Sequence, residues 1–186
     1  IAARGMTFKK LYIASFVTFI IGSLFTWGWM GSFGGDTLEG HLVIWSLLLP
    51  CIAFLLSGRI IVAEFLSRRY PKFRVFIYPG VWLLGELLQS LGYLAFPWNY
   101  LGYSQYPVLP FVQVSSLIGI LGVTFLIAAG NSIVAEFLFI NRERILSKDF
   151  RPQAFVQKKR LSFYLLFVLL IIAEGEIRIF KGLPDG

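Results

Sequence analysis

The chain of 186 residues is 57% hydrophobic and 17% aromatic, with charged residues held to 15% and a mean hydropathy of +0.74. A soluble domain of this size carries about 25% charged residues, so the composition excludes an ordinary water-soluble globule and points to a polytopic membrane protein. The net charge of +7 does not imply a nucleic-acid partner, because the basic residues lie in short stretches between apolar spans, as membrane topology requires.

Residues 11–30 carry no charge and are long enough to cross about 30 Å of hydrocarbon as a helix. They exceed the apolar core of a signal peptide, and no small-x-small cleavage site follows. Residues 41–66 form a second span, with Arg59 and Glu64 near its far end. Residues 75–96 form a third, interrupted by Pro79 and Gly80 and containing Glu86. In the fourth, residues 111–139, Gly119, Gly122 and Gly130 with Ala128 and Ala129 permit close helix packing. The fifth covers residues 161–178. Its apolar run is broken at Glu174, a length between that of a span and that of an interfacial helix.

Of the seventeen Lys and Arg residues, all but Arg59, Arg178 and Lys181 fall before span one, between spans two and three, or between spans four and five. The connections at 31–40 and 97–110 contain none. That asymmetry places the N-terminus in the cytoplasm and the C-terminus on the opposite side. Helices satisfy their own backbone groups without water, and the alternation of barrel strands is absent. The expected fold is therefore all-α: a polytopic transmembrane helix bundle of about five spans, in a single transmembrane domain over residues 1–186.

Glu86 is the sharpest polar feature. A carboxyl near mid-span is costly unless it is hydrogen-bonded, and intramembrane carboxyls are rarely idle. Trp82 lies four residues before it, and Gln89 and Ser90 three and four after, all on one helical face. Two readings stand side by side: a polar wall that orients a headgroup or a loop, or a carboxyl bonded between helices for packing. Arg59, Glu64 and Glu136 read as side chains that snorkel to water, with Glu64 four residues from Arg68 as an interfacial pair. Asn131 reads as a hydrogen bond between helices, and Trp27 and Trp29 as an aromatic belt. The single Cys51 excludes an internal disulfide and reads as a small, inert core residue. His41 has no partner at ligand or triad spacing, and no metal site, cofactor site or catalytic set assembles from these residues.

The connection after the third span is unusual for a loop. It reads Ala95-Phe96-Pro97-Trp98-Asn99-Tyr100-Leu101-Gly102-Tyr103-Ser104-Gln105, aromatic and uncharged, which suits the membrane–water boundary. An aromatic belt accounts for Trp98, Tyr100 and Tyr103 but not for Asn99, Gln105 and the glycine among them, which favours a binding role.

This stretch resembles the membrane domain of bacterial apolipoprotein N-acyltransferases. The resemblance rests on Phe96-Pro97-Trp98, Leu101-Gly102-Tyr103-Ser104-Gln105, the Gly119-Ile120-Leu121-Gly122-Val123-Thr124-Phe125 run with Asn131 beyond it, and Trp82 with Glu86 upstream. Ala95 stands where the family usually has Gly, and Gln89 where it commonly has Arg. The resemblance implies the N-terminal membrane portion of such an enzyme, truncated at both ends, in the bacterial inner membrane. It also implies an acyl chain passing from a phospholipid donor to the N-terminal diacylglyceryl-cysteine of a lipoprotein acceptor. The catalytic residues of that chemistry belong to a nitrilase-like domain that these residues do not include, so this chain alone is expected to be inactive. The residues expected to meet the substrates are Trp98, Tyr103 and Gln105 at the mouth of a lipid-accessible cavity, with Glu86 supporting them from its wall.

Overall fold

The computed structural model describes residues 6–27, 37–92, 95, 97, 100–142, 146 and 158–182. Phe96, Trp98, Asn99 and Trp29 lie outside the described residues. Helices dominate, and no strand occurs among the described residues. The all-α expectation holds. The chain divides into two packing units, Ala2–Arg69 and Tyr70–Gly186.

In the first unit, α1 (Phe8–Trp27) packs along α2 (Leu38–Arg69). At 20 and 32 residues they measure about 30 and 48 Å. The interface is built from Leu11, Leu49, Ile52, Ala53 and Ala63, with the Tyr12 ring edge-on to Phe54 at 6.4 Å. Ile13, Val17, Leu24, Leu47 and Phe65 point outward, a surface that suits hydrocarbon rather than water. Cys51 is exposed on α2 rather than packed in the core. The core position expected of its small side chain is filled by the neighbouring Ile52 and Ala53, which are turned inward.

The second unit contains α3 (Arg74–Gln89), α4 (Leu109–Val112), α5 (Ser115–Ile140) and α6 (Lys158–Gly182). A 3-10 turn at Leu101–Gln105 lies between α3 and α4. The α3 helix and this turn pack on α5, while α4 and α5 pack on α6. The core at the α4–α5–α6 junction is Phe111, Val114, Val123 and Ile171. Gly130 leaves room on α5 for the Tyr164 ring, whose hydroxyl donates to the Leu126 carbonyl at 2.9 Å.

Among the described residues, three helices are long and apolar enough to cross a membrane: Phe8–Thr26 of α1, Leu38–Arg69 and Ser115–Ile140. The expected third span is shorter than its apolar run. The α3 helix has 16 residues, about 24 Å, and stops at Ser90 ahead of Gly92, whose φ of +84° is left-handed. The expected fourth span is divided. A single turn, α4, precedes α5, and α5 itself breaks at Gly119 (φ 68°, ψ 172°), a conformation that favours glycine. Residues 120–140 beyond the break measure about 31 Å, the thickness of the hydrocarbon core. The fifth segment is one continuous helix that runs through Glu174 to Gly182. Asn131 is exposed on α5 and makes no side-chain hydrogen bond among the described residues, so the helix contact expected of it is not found there.

Candidate functional site: a loop held by a buried carboxyl

The 3-10 turn at Leu101–Gln105 begins without a side-chain cap, since Tyr100 at its N-terminus contributes none. The first N–H groups of any helical turn lack partners within it. Here they are met from two other elements. The Leu101 N–H donates to Glu86 Oε1 at 2.7 Å. The Gly102 N–H donates to Thr124 Oγ1 at 2.9 Å, and that hydroxyl donates onward to Glu86 Oε2 at 2.7 Å. Trp82, one helical turn before Glu86, completes the set by donating Nε1–H to Oε1 at 3.0 Å.

The carboxyl of Glu86 thus accepts three hydrogen bonds, from α3, from α5 and from the turn. Glu86 is 1% exposed and Thr124 0%. A buried acceptor with this many donors is fully satisfied, and it gives the turn a fixed seat on α5. Gly102 is required by that seat. A Cβ there would lie 2.8 Å from the Ile120 carbonyl oxygen and 2.9 Å from Ile120 Cδ1, too close for any side chain without displacing backbone. The contact falls directly after the Gly119 break in α5.

On the other side of the turn, Tyr100 is buried and its ring stacks on Tyr103 at 5.4 Å and 16°. Tyr103 is 47% exposed and Tyr106 75%. Gln105 donates Nε2–H to Ser104 Oγ at 3.0 Å, and Ser104 donates to the Leu101 carbonyl at 2.7 Å. Of the residues expected at the site, Glu86, Tyr103 and Gln105 therefore share one assembly. Glu86 faces the backbone of the loop, while Tyr103 and Gln105 lie beyond it. Trp98 lies outside the described residues.

Ser90, expected on the Glu86 face, donates to the Leu87 carbonyl of its own helix at 2.7 Å. Glu64 is 1% exposed and does not snorkel, although its pairing with Arg68 is present at 2.9 Å. His41 bonds the Thr37 carbonyl at 2.8 Å. No group of three or more His, Cys, Asp or Glu gathers in metal-binding geometry among the described residues. Neither the Thr124 hydroxyl nor the Leu101 amide is expected at the site from the sequence, and Gly102 is expected there without its close approach to α5. The available signal was a hydroxyl residue and an invading glycine in two uncharged stretches that flank the carboxyl-bearing helix.

Residues 1–133 match the family model described as the apolipoprotein N-acyltransferase N-terminal domain. The chain is 34% identical over 113 residues to an apolipoprotein N-acyltransferase of Geobacter metallireducens, covering 59% of this chain and 19% of that protein. It is 28% identical over 108 residues to apolipoprotein N-acyltransferase 2 of Treponema denticola, covering 58% and 21%. Over 47 residues it is 47% identical to apolipoprotein N-acyltransferase 1 of Treponema pallidum, covering 25% and 9%. The chain spans about a fifth of the length of the first two of these relatives. No solved structure matches it. With a family model over most of its length and three helices able to cross a bilayer, this multi-pass membrane protein belongs to the apolipoprotein N-acyltransferase N-terminal domain family.

Proposed function

We propose that this chain is the membrane portion of an apolipoprotein N-acyltransferase of the bacterial inner membrane, where it forms the lipid and lipoprotein cavity of the enzyme. The reading is carried by one observation: Glu86 and Thr124 hold the first amides of an uncharged aromatic turn, so that Tyr103 and Gln105 are presented on a fixed backbone. A loop pinned in this way meets the demand that membrane-anchored substrates be oriented before reaction.

In the proposed reaction a thiolate supplied outside this chain attacks the ester carbonyl of a phospholipid, forming a thioester and releasing the lysophospholipid. The amino group of the diacylglyceryl-cysteine of a lipoprotein then attacks the thioester, forming the amide and returning the thiol. This chain supplies no group to either bond change. Its part is to hold both lipids, with Trp98, Tyr103 and Gln105 at the cavity mouth and Glu86 behind them. The N-terminus is cytoplasmic and the C-terminus periplasmic, on the side where lipoproteins receive the acyl chain.

The test is acyl transfer from phospholipid to a diacylglyceryl peptide, measured on the product of the full coding frame in liposomes. Trp98→Ala is expected to lower turnover by roughly tenfold or more, the scale of lost substrate orientation, and residues 1–186 alone are expected to give none. Unchanged turnover in Trp98→Ala removes that residue from the site. A C-terminal reporter active in the cytoplasm overturns the reading itself.

A further inference from the structure

The loop has a second anchor at its far end, which Glu86 does not supply. The α4 turn that closes the loop lies against α6. At Gly175 the place of a side-chain carbon is already taken by the Pro110 carbonyl, with the Pro110 Cα 2.8 Å away. The backbones of α4 and α6 are therefore in direct contact, which only glycine permits. One turn further along α6, Arg178 pairs through Nε with Glu174 on its own helix and donates Nη1–H to Ser116 Oγ at 3.0 Å. The Ser116 hydroxyl donates in turn to the Gln113 carbonyl at 2.8 Å, leaving its lone pairs to the guanidinium. Glu174, Arg178, Ser116 and Gln113 thus form one hydrogen-bonded chain from α6 to the α4–α5 junction, whose core includes Phe111 and Ile171.

We propose that Gly175 and Arg178 are positioning residues that lock α6 in one register against α4, so that the turn carrying Tyr103 and Gln105 keeps a set spacing from the C-terminal end of α6. Gly175 fixes the close approach, and Arg178 fixes the rotation of the helix about its axis. The exposed Arg178–Glu174 pair would hold little on its own. Its reach to Ser116 is what makes it an anchor. The importance of the spacing rests on the proposed function, because a reaction centre joined beyond α6 has to meet lipids held at the loop. The spacing itself does not depend on that reading.

The test is a distance. Nitroxide labels are placed at Tyr106→Cys and Lys181→Cys, both exposed, in the full-length protein with Cys51 and every other native cysteine replaced by serine. The distribution is measured in bilayers by pulsed electron paramagnetic resonance, with acyl transfer measured on separate, unlabelled protein that keeps its native cysteines. A single narrow distribution is expected. Gly175→Leu is expected to shift or broaden it, Arg178→Ala to broaden it less, and Arg178→Lys to restore it. In acyl transfer, Gly175→Leu is expected to lower kcat by roughly tenfold with KM little changed, as lost orientation does. A distribution unchanged in both Gly175→Leu and Arg178→Ala overturns the proposal. Broadening with undiminished kcat removes the positioning role. If the unsubstituted full-length protein transfers no acyl chain, the proposed function fails, and the distance still decides the anchor.

Discussion

Glu64 in α2 and Glu86 in α3 are equally buried, each 1% exposed, yet their surroundings differ in kind. Glu64 meets a cation on its own helix, Arg68, at 2.9 Å. That guanidinium continues to the Met6 carbonyl at 2.7 Å and lies 4.4 Å from the centre of the Phe8 ring, which ties the cytoplasm-facing end of α2 in the proposed topology to the start of α1. Glu86 has no Lys or Arg at ion-pair distance among the described residues and instead accepts from three neutral donors on three elements. The first arrangement is local and reaches solvent through Arg68, which is 38% exposed. The second is enclosed and seats the first amides of the turn, Leu101 directly and Gly102 through the Thr124 hydroxyl. A carboxyl beside its own cation stabilises a helix end, whereas one surrounded by neutral donors specifies the position of a distant backbone.

The comparison is most open to attack at Glu86. Removing the carboxyl takes an acceptor away from the Trp82 indole, the Leu101 amide and the Thr124 hydroxyl, beside groups closed to water. Each unmet buried donor costs roughly 1–3 kcal/mol, and single substitutions rarely cost more than about 5 kcal/mol, so Glu86→Ala is expected to lose about 3–5 kcal/mol. Thermal unfolding in detergent micelles measures it, with the Glu86→Gln variant, which keeps one acceptor oxygen, falling between Ala and the parent. An equal loss from Glu64→Ala would erase the distinction between the two carboxyls.

Part of this site is legible in the sequence. Trp82 and Glu86 are four residues apart on one helix, and that spacing alone brings the indole to the carboxyl. The helical spans are legible for a similar reason, because hydrocarbon length and backbone satisfaction act on local sequence. Thr124 is 38 residues from Glu86, and nothing local to α5 distinguishes a hydroxyl that bridges two elements from one that bonds its own helix, as Ser57 does to Ala53. The break at Gly119 is hidden in the same way, since Gly122 and Gly130 carry the same side chain within continuous helix. Glu64 lies near enough to the helix end to suggest access to water, while the packing that buries it is tertiary and has no local signal. Asn131 was given a partner helix on the strength of its polarity, and its exposure follows from which face of α5 the other elements cover.

Thr124 sharpens the comparison, because it tests whether the carboxyl acts on the loop through a relay. Thr124→Val keeps the shape of the side chain and removes both the donor to Glu86 and the acceptor for Gly102. The expected loss is about 1–3 kcal/mol, with Thr124→Ser closer to the parent. Amide hydrogen exchange separates the two routes to the loop. The Gly102 amide is expected to lose protection in Thr124→Val, while the Leu101 amide, bonded directly to Glu86, keeps most of its own. Loss of protection at both amides together would mean that the two contacts form a single cooperative unit.

The smallest effect is expected at the other carboxyl. The Arg68 side chain is 38% exposed, so once Glu64 is removed its guanidinium still finds water, the Met6 carbonyl and the Phe8 ring. A double-mutant cycle of Glu64→Ala and Arg68→Ala is therefore expected to give a coupling energy below about 1 kcal/mol, the range of solvent-screened pairs, and one that shrinks as salt is added. The single variants are expected to be unequal. Arg68→Ala also removes the contacts to the Met6 carbonyl and the Phe8 ring, which Glu64→Ala leaves in place, so the arginine change is the more destabilising. If the Glu64 change instead proves the larger, α2 depends on the carboxyl for contacts beyond its ion pair, and the two buried acids resemble one another more than the Arg68 pairing suggests.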